Sequence, residues 1–430
     1  MPSAPTKPAV QNALLISDVH FNPVADPSLL QQLIKAKVDQ WESILQPTAS
    51  QPWSSYGSDS NYALMTASFQ SAAQNKPFSL VIFTGDILCH TFKPQFQGAG
   101  GTDAQFPDFA AKSAQFVVME MQKAFGVPVV LALGNNDSPI WDYQMVPNSP
   151  FFSELGSVTD TVSSDPTATK TFAEGGYYLV KNPVVANQDF AVLNTVLWSH
   201  KYQDPDDKSD PYTKKPGQDQ MTWLKGVMKS EAAAGRKVSF VMHIGPGLDP
   251  WGKDLNWHQS FEDDFVSLVQ QYAGSIATSF YGHTHMDDFR VLPAADGSPA
   301  VAMRNTPSIS PIQGNNPGYS IMQFDSTSGD VQDIVSYYAD LTQTAPTWTS
   351  EYDFNTIYHT KDYTAATLQT LPQTIRSQGP TRGTIFKDYA RYFKVQATGS
   401  SAGGRSWANF SCAQTTFTKT DFQGCVAAQP

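Results

Sequence analysis

The sequence predicts an α/β fold, a central β-sandwich flanked by helices, with a helical subdomain at the C-terminus. Three observations predict it. Five short apolar, β-branched runs each end abruptly in a residue type that binds metal ions. Stretches with helical spacing lie between those runs. Beyond about residue 300 the pattern changes to sheet-closing strands and then to aromatic-rich helices.

The five runs are Ala13–His20, Phe78–His90, Val127–Asp137, Lys237–Gly247 and Ile276–His285. Continuous apolar runs of this length read as strands buried on both faces. A sixth, Phe190–Trp198, looks alike but carries no ligand-type residue. Between them, Ser28–Leu45 sets Leu29, Leu33, Val38, Trp41 and Leu45 along one helical stripe, with Pro27 at its first turn. Asp108–Phe125, Gln218–Ala234 and His258–Tyr272 predict further helices. In folds that alternate in this way, ligands gather beyond the carboxyl ends of the strands. That is where the metal-binding residue types fall.

Val301–Met303, Ser320–Asp325 and Val331–Tyr338 read as strands closing the sheet. From about Pro346, patterns such as Thr384–Phe393 predict helices, dividing the chain into a catalytic domain over 13–345 and a C-terminal helical subdomain over 346–430. Lys201–Gly217 and Gly399–Gly404 read as loops, the first long enough to rim a cleft.

Of the 430 residues 40% are hydrophobic and only 16% charged, with 30 Pro and 28 Gly, which suits an exported globular enzyme. A net charge of −11 argues against nucleic acid as a partner, since phosphate backbones select Lys and Arg surfaces. It does not exclude a phosphorylated substrate, because bound cations reverse the local field. No apolar run approaches the roughly 20 residues that span a bilayer. The start, Met1-Pro2-Ser3-Ala4-Pro5, lacks the basic and apolar regions of a leader, so the chain reads as cytosolic, or as exported with its leader removed. Of the three cysteines, Cys412 and Cys425 are close enough to pair or to remain free thiols, and Cys89 has no obvious partner.

The chemistry lies in Asp18-Val19-His20, Gly85-Asp86, Gly134-Asn135, His243 and Gly282-His283-Thr284-His285. Along an extended strand end, residues i and i+2 point the same way, so Asp18 and His20 can face one ion, and so can His283 and His285. A carboxylate at Asp86 offers two oxygens to two cations, and Asn135 offers a neutral amide oxygen. Singly, each matches common turn chemistry; in this order, each at the same end of a strand, they form one site. The acidic run Glu262-Asp263-Asp264 reads as a solvated helix face. Trp251, Trp257 and His258 read either as cleft lining or as packing.

The ordered set D-x-H, G-D, G-N, H, G-H-x-H resembles the calcineurin-like metallophosphoesterases over residues 13–325. Within them, Gly85-Asp86-Ile87-Leu88-Cys89-His90, His243-Ile244-Gly245-Pro246-Gly247 and Asn315-Asn316-Pro317-Gly318-Tyr319 are similar to the acid sphingomyelinase-like phosphodiesterases. The resemblance implies two divalent cations, Zn²⁺ foremost with Mn²⁺ or Fe as alternatives. One would be held by Asp18, His20 and His285, the other by Asn135, His243 and His283, with Asp86 shared. It implies hydrolysis of small phosphodiesters, nucleotides or phospholipid headgroups by a metal-bridging hydroxide, with His90 contacting phosphate. It also implies a secreted, periplasmic or lysosome-like location. One departure matters: the family's G-N-H-D/E is here Gly134-Asn135-Asn136-Asp137, and Asn136 can donate a hydrogen bond to phosphate but cannot act as an acid. The proton then comes from His90, His200 or His258, or the leaving group is a good one, or turnover is slow. Two alternatives follow, a phosphomonoesterase or phosphoanhydride hydrolase, and a non-catalytic protein that binds phosphoryl ligands.

Overall fold

The structure, a computed structural model, describes residues 9–160, 166–205 and 207–430. The start of the chain, where the leader reading falls, lies outside them. Among the described residues, twelve strands form two six-stranded sheets. β1 (Val10–Ile16), β2 (Leu80–Phe83) and β3 (Val129–Leu131) run parallel in the first sheet. β4 (Tyr178–Lys181), β5 (Gln188–Leu193), β6 (Lys237–Met242), β7 (Ser279–Tyr281), β8 (Asp288–Pro293) and β9 (Pro299–Asn305) form the second. β5, β6, β7 and β9 are parallel there, and β4 and β8 are antiparallel edges. β10 (Gly318–Asp325), β11 (Val331–Ala339) and β12 (Trp348–Asp353) return antiparallel to complete the first sheet in the order β12-β11-β10-β1-β2-β3.

The strands predicted from apolar runs are present, but shorter than the runs. Leu80–Phe83 and Val129–Leu131 are buried throughout, as expected of parallel strands covered on both sides. Each run continues past its strand into a turn that carries a ligand-type residue. The helices at Phe106–Phe125, Lys215–Ala233 and Gln259–Gln271 pack over the sheets close to their predicted limits.

Three expectations are corrected. Ser28–Leu45 is not one helix: it breaks into short turns and helices, because Ala36 and Lys37 are extended and the Gln40 side chain caps a new start at the Lys37 N–H. Trp41 still packs inward, its indole N–H donating to the Leu33 carbonyl at 3.1 Å. Phe190–Trp198 is a strand only to Leu193 and then winds into a 3₁₀ turn. In the acidic run, Asp263 is exposed, but Glu262 is fully buried on the inward face of its helix.

β12 lies beyond residue 346 and pairs with β11, and the helices follow from Phe354. Cys412 and Cys425 are joined by a disulfide that packs with Leu248 and Leu255. Cys89 is buried and free. Among the described residues, no helix is long and apolar enough to cross a membrane.

Candidate metal centre

Every candidate ligand sits just past the carboxyl end of a parallel strand: Asp18 and His20 after β1, Asp86 after β2, Asn135 after β3, His243 after β6, His283 and His285 after β7. The turns are sharp. Asp18, His20, Asp86, His283 and His285 all have positive φ, between 45° and 74°. Non-glycine residues enter that left-handed region at a cost, so the surroundings must hold them there. The Asp18 N–H donates to the Gly85 carbonyl (2.9 Å), the His20 N–H to the Asp86 carbonyl (3.0 Å) and the Gly282 N–H to the His243 carbonyl (2.9 Å). Each turn is thereby tied to the turn beside it. Gly134 is needed for contact, since a β-carbon there would lie 2.1 Å from Asp86 Oδ1.

The side chains converge. His20 donates Nδ1–H to the Leu88 carbonyl (2.9 Å), and His243 donates Nδ1–H to the Thr84 carbonyl (2.8 Å). These bonds tie down Nδ1 and aim each Nε2 into the cluster, the arrangement that metal-ligating imidazoles adopt. His20 Nε2 faces His285 Nε2 at 3.1 Å, Asp18 Oδ1 at 3.6 Å and Asp86 Oδ2 at 3.4 Å. His243 Nε2 faces Asp86 Oδ2 at 3.2 Å, Asn135 Oδ1 at 3.1 Å and His283 Nδ1 at 3.3 Å. Two donor sets thus share Asp86, whose Oδ2 lies between them.

The electrostatics favour added positive charge. Burial raises the pKa of Asp18 and Asp86, yet the neighbouring imidazoles hold both carboxyls well below the usual carboxylate range. Burial is the largest single influence and opposes charge on His20 and His243, but Asp86 and Asp18 together outweigh it and lift them to about 10 and about 9, so without metal each Nε2 holds a proton that a cation would displace. Burial drives His283 and His285 down to about 3, leaving neutral rings. Asp18 Oδ1 and His285 Nδ1 are buried without a hydrogen-bond partner. Imidazole, carboxylate and amide donors that converge in a buried cluster, with two of their atoms left unpartnered, fit a pair of divalent cations.

The remaining predicted residues divide. His90 stacks on His20 with ring centres 4.1 Å apart. Its Nδ1 is 3.0 Å from Asp59 Oδ1, and its N–H donates to Asp59 Oδ2 at 2.8 Å. Asn136 is beside the centre, but its amide donates to Asp86 Oδ2 (3.0 Å). His200 lines a neighbouring cavity of about 600 Å³ that reaches His283. His258 caps its helix and faces Asp210 at 3.3 Å and the Tyr212 ring, so it is not brought to the centre. Trp257 is buried packing, whereas Trp251 lines the same cavity as His200.

Residues that no motif announced complete the surroundings. Asp142 accepts from the Asn135 amide (2.6 Å), which turns the Asn135 oxygen toward His243. The Tyr143 hydroxyl is 3.4 Å from His283 Nε2. Asp137 binds four backbone N–H groups of the two loops that carry Asp86 and Asn135. Only Asp137 had a sequence signal, as the acidic position closing Gly134-Asn135-Asn136-Asp137.

The calcineurin-like phosphoesterase model matches residues 12–287. The chain belongs to that family. It is 26% identical to sphingomyelin phosphodiesterase B of Dictyostelium discoideum, over 90% of this chain and 59% of that protein's length. It is also 26% identical to cyclic GMP-AMP phosphodiesterase SMPDL3A of Mus musculus, over 93% of this chain and 88% of that protein. Human acid sphingomyelinase-like phosphodiesterase 3b is 26% identical over 82% and 76%. Among solved structures, PhoD aligns over 82% of this chain and 70% of its own, at 12% identity and a TM-score of 0.47.

Proposed function

We propose that the chain is a phosphodiesterase that cleaves small phosphodiesters, nucleotides or phospholipid headgroups, using two divalent cations, Zn²⁺ foremost. The supporting observation is the convergence of His20 and His243 Nε2 on the shared Asp86 carboxylate, at 3.4 and 3.2 Å. In this reading Asp18, His20 and His285 hold one ion and Asn135, His243 and His283 the other, with Asp86 common to both. Such a pair, when bound, neutralises phosphoryl charge and lowers the pKa of water toward about 7. The chain's own groups do the rest. Asp142 and the Leu88 and Thr84 carbonyls orient the donors. Asn136 steadies Asp86. His90, held through Nδ1 by Asp59, keeps Nε2 free to give a proton to the departing oxygen. Names of the relatives, phosphodiesterases of sphingomyelin and of cyclic GMP-AMP, support the diester class. The Cys412–Cys425 disulfide supports an oxidising compartment: secreted, periplasmic or lysosome-like.

A second reading, hydrolysis of phosphoanhydrides or phosphomonoesters, is favoured by Asn136, which cannot supply a proton and whose amide is already engaged with Asp86. Metal analysis, with turnover of bis-p-nitrophenyl phosphate, p-nitrophenyl phosphate, ATP and detergent-solubilised sphingomyelin under Zn²⁺ and Mn²⁺, decides between them. Preference for the diesters is expected. Preference for ATP or the monoester establishes the second reading, and two bound metals with no turnover of any of them favour a non-catalytic phosphoryl-ligand-binding protein.

A further inference from the structure

Two cavities meet the candidate metal centre at opposite ends. From one end to the other, the His90 ring stacks on His20, His20 Nε2 lies 3.4 Å from Asp86 Oδ2, that oxygen lies 3.2 Å from His243 Nε2, and the His243 ring centre is 5.1 Å from that of His283. The cavity of about 600 Å³ opens at the His283 end. A cavity of about 550 Å³ opens at the His90 end. Consecutive residues divide them, Gln313 lining the first and Ile312 the second. A phosphomonoester has one substituent to house. A site with a substantial cavity on each side of the reacting centre suits a diester with two arms.

The cavities differ in chemistry. At the His283 end Trp251 is 43% exposed, although its ring is backed by Phe410 (centres 5.1 Å apart) and Phe393 (5.8 Å). Its loop is fixed by Asp249, which accepts from the Trp251 and Gly252 N–H groups at 2.8 and 2.9 Å. A large ring held from behind and open in front is a stacking platform for a planar group. Lys201 and Lys394 line the same cavity. Its two acids are engaged, Asp249 in the loop and Asp254 with Lys419 at 2.6 Å. The cavity of about 550 Å³ is lined mostly by hydroxyls and amides, among them the exposed Ser55 and Ser58, with Asn61, beside Trp53, Ala25 and Ile312. Its one carboxylate, Asp59, is engaged by His90, and among the described residues its lining includes no Lys or Arg, although Lys93 lines a smaller cavity that also meets His90.

We infer that this site takes a phosphodiester with two unlike arms: a planar aromatic arm stacked on Trp251, its polar and anionic groups met by Lys201 and Lys394, and an uncharged hydroxyl-bearing arm in the cavity beyond His90. The inference rests on the phosphodiesterase reading and names its substrate class. It is tested with the glyceryl and methyl diesters of adenosine 5′-monophosphate, and with binding of adenosine 5′-monophosphate by calorimetry. Trp251→Ala is expected to weaken nucleotide binding about tenfold, within the range measured for loss of one stacked base. Ser58→Trp, at an exposed position that tolerates the ring, fills the second cavity and is expected to cut the glyceryl-to-methyl ratio of kcat/KM about tenfold. If the wild type cleaves both esters but neither variant moves its readout, the inference is overturned and the diesterase reading stands. If the metal-loaded wild type cleaves neither ester but turns over bis-p-nitrophenyl phosphate or sphingomyelin, the inference falls alone; if it turns over no diester, the diesterase reading falls with it.

Discussion

Asp137 accepts hydrogen bonds from the N–H groups of Asp86, Ile87, Leu88 and Gly134, at 2.7 to 3.1 Å, and is fully buried. One carboxylate therefore sets the spacing of two loops that each bring a donor to the centre. Removing it leaves four buried N–H groups without their acceptor, each costing about 1–3 kcal/mol. Asp137→Ala is expected to lose at least about 3 kcal/mol of stability, read from the denaturant midpoint, and to bind less metal at equal protein concentration. His90 makes a different prediction. If it gives the proton, His90→Gln should slow esters of poor leaving groups by about 10²–10⁴-fold and p-nitrophenyl esters far less. Asp59→Asn should fall between. The measurement is the slope of log kcat against leaving-group pKa, and an equal loss for every leaving group would remove His90 from that role. The sequence offered His90 because it lies four residues after Asp86; Asp59, Asp142 and Tyr143 carried no signal, because they reach the site through tertiary contacts from loops without a motif.

At the scale of elements, the parallel strands were legible because burial on both faces leaves an unbroken apolar run. The way they deliver their donors was not. The pairs Asp18/His20 and His283/His285 were expected to converge by alternation along an extended strand, yet all four residues lie beyond the strand in left-handed turns. Hydrogen bonds between neighbouring turns enforce that conformation, and no local pattern encodes them. Strands β4, β8 and β12 were missed: all three are edges, β4 and β12 with mixed exposure, and β8 buried but with its apolar run interrupted by Asp288 and Arg290. Because β12 extends the first sheet, we propose that the catalytic unit runs to Asp353 and that the helical subdomain begins at Phe354. The disulfide of that subdomain packs under Leu248 and Leu255, which flank the Trp251 loop. Cross-linking residues 13 apart contributes about 3 kcal/mol by loop closure. Cys412→Ser with Cys425→Ser should therefore lower Tm by several degrees. It should also make the wild-type Tm fall under reductant while the double variant stays insensitive.

The whole molecule responds to pH through buried acids as well as through net charge. Burial raises Glu262 from 4.5 to about 8, and raises Asp288 and Asp333 from 3.8 to about 6. In each case the folded state holds the proton more tightly than the unfolded chain. Their contribution is thus fully present below the unfolded values near 4 and is lost as pH rises through the folded ones. For Glu262 that window runs from about 4.5 to about 8, and across it the native state binds more protons than the unfolded one, so stability falls with rising pH. Net charge acts in the same direction, since a chain with a pI near 5.1 and a charge of −11 at pH 7 repels itself more as pH rises. Both terms predict a higher Tm at pH 5 than at pH 8 for the metal-loaded protein, which suits the acidic side of the compartments proposed above. Glu262→Gln separates them. The amide keeps the shape of the protonated acid but cannot ionise, so the variant should lose much of the slope between pH 5 and 8 and gain Tm at pH 8, while charge repulsion remains. A variant whose Tm follows the wild-type pH curve would mean that Glu262 is ionised in the native protein, most simply by pairing with Arg290, the positive group that pulls its pKa down.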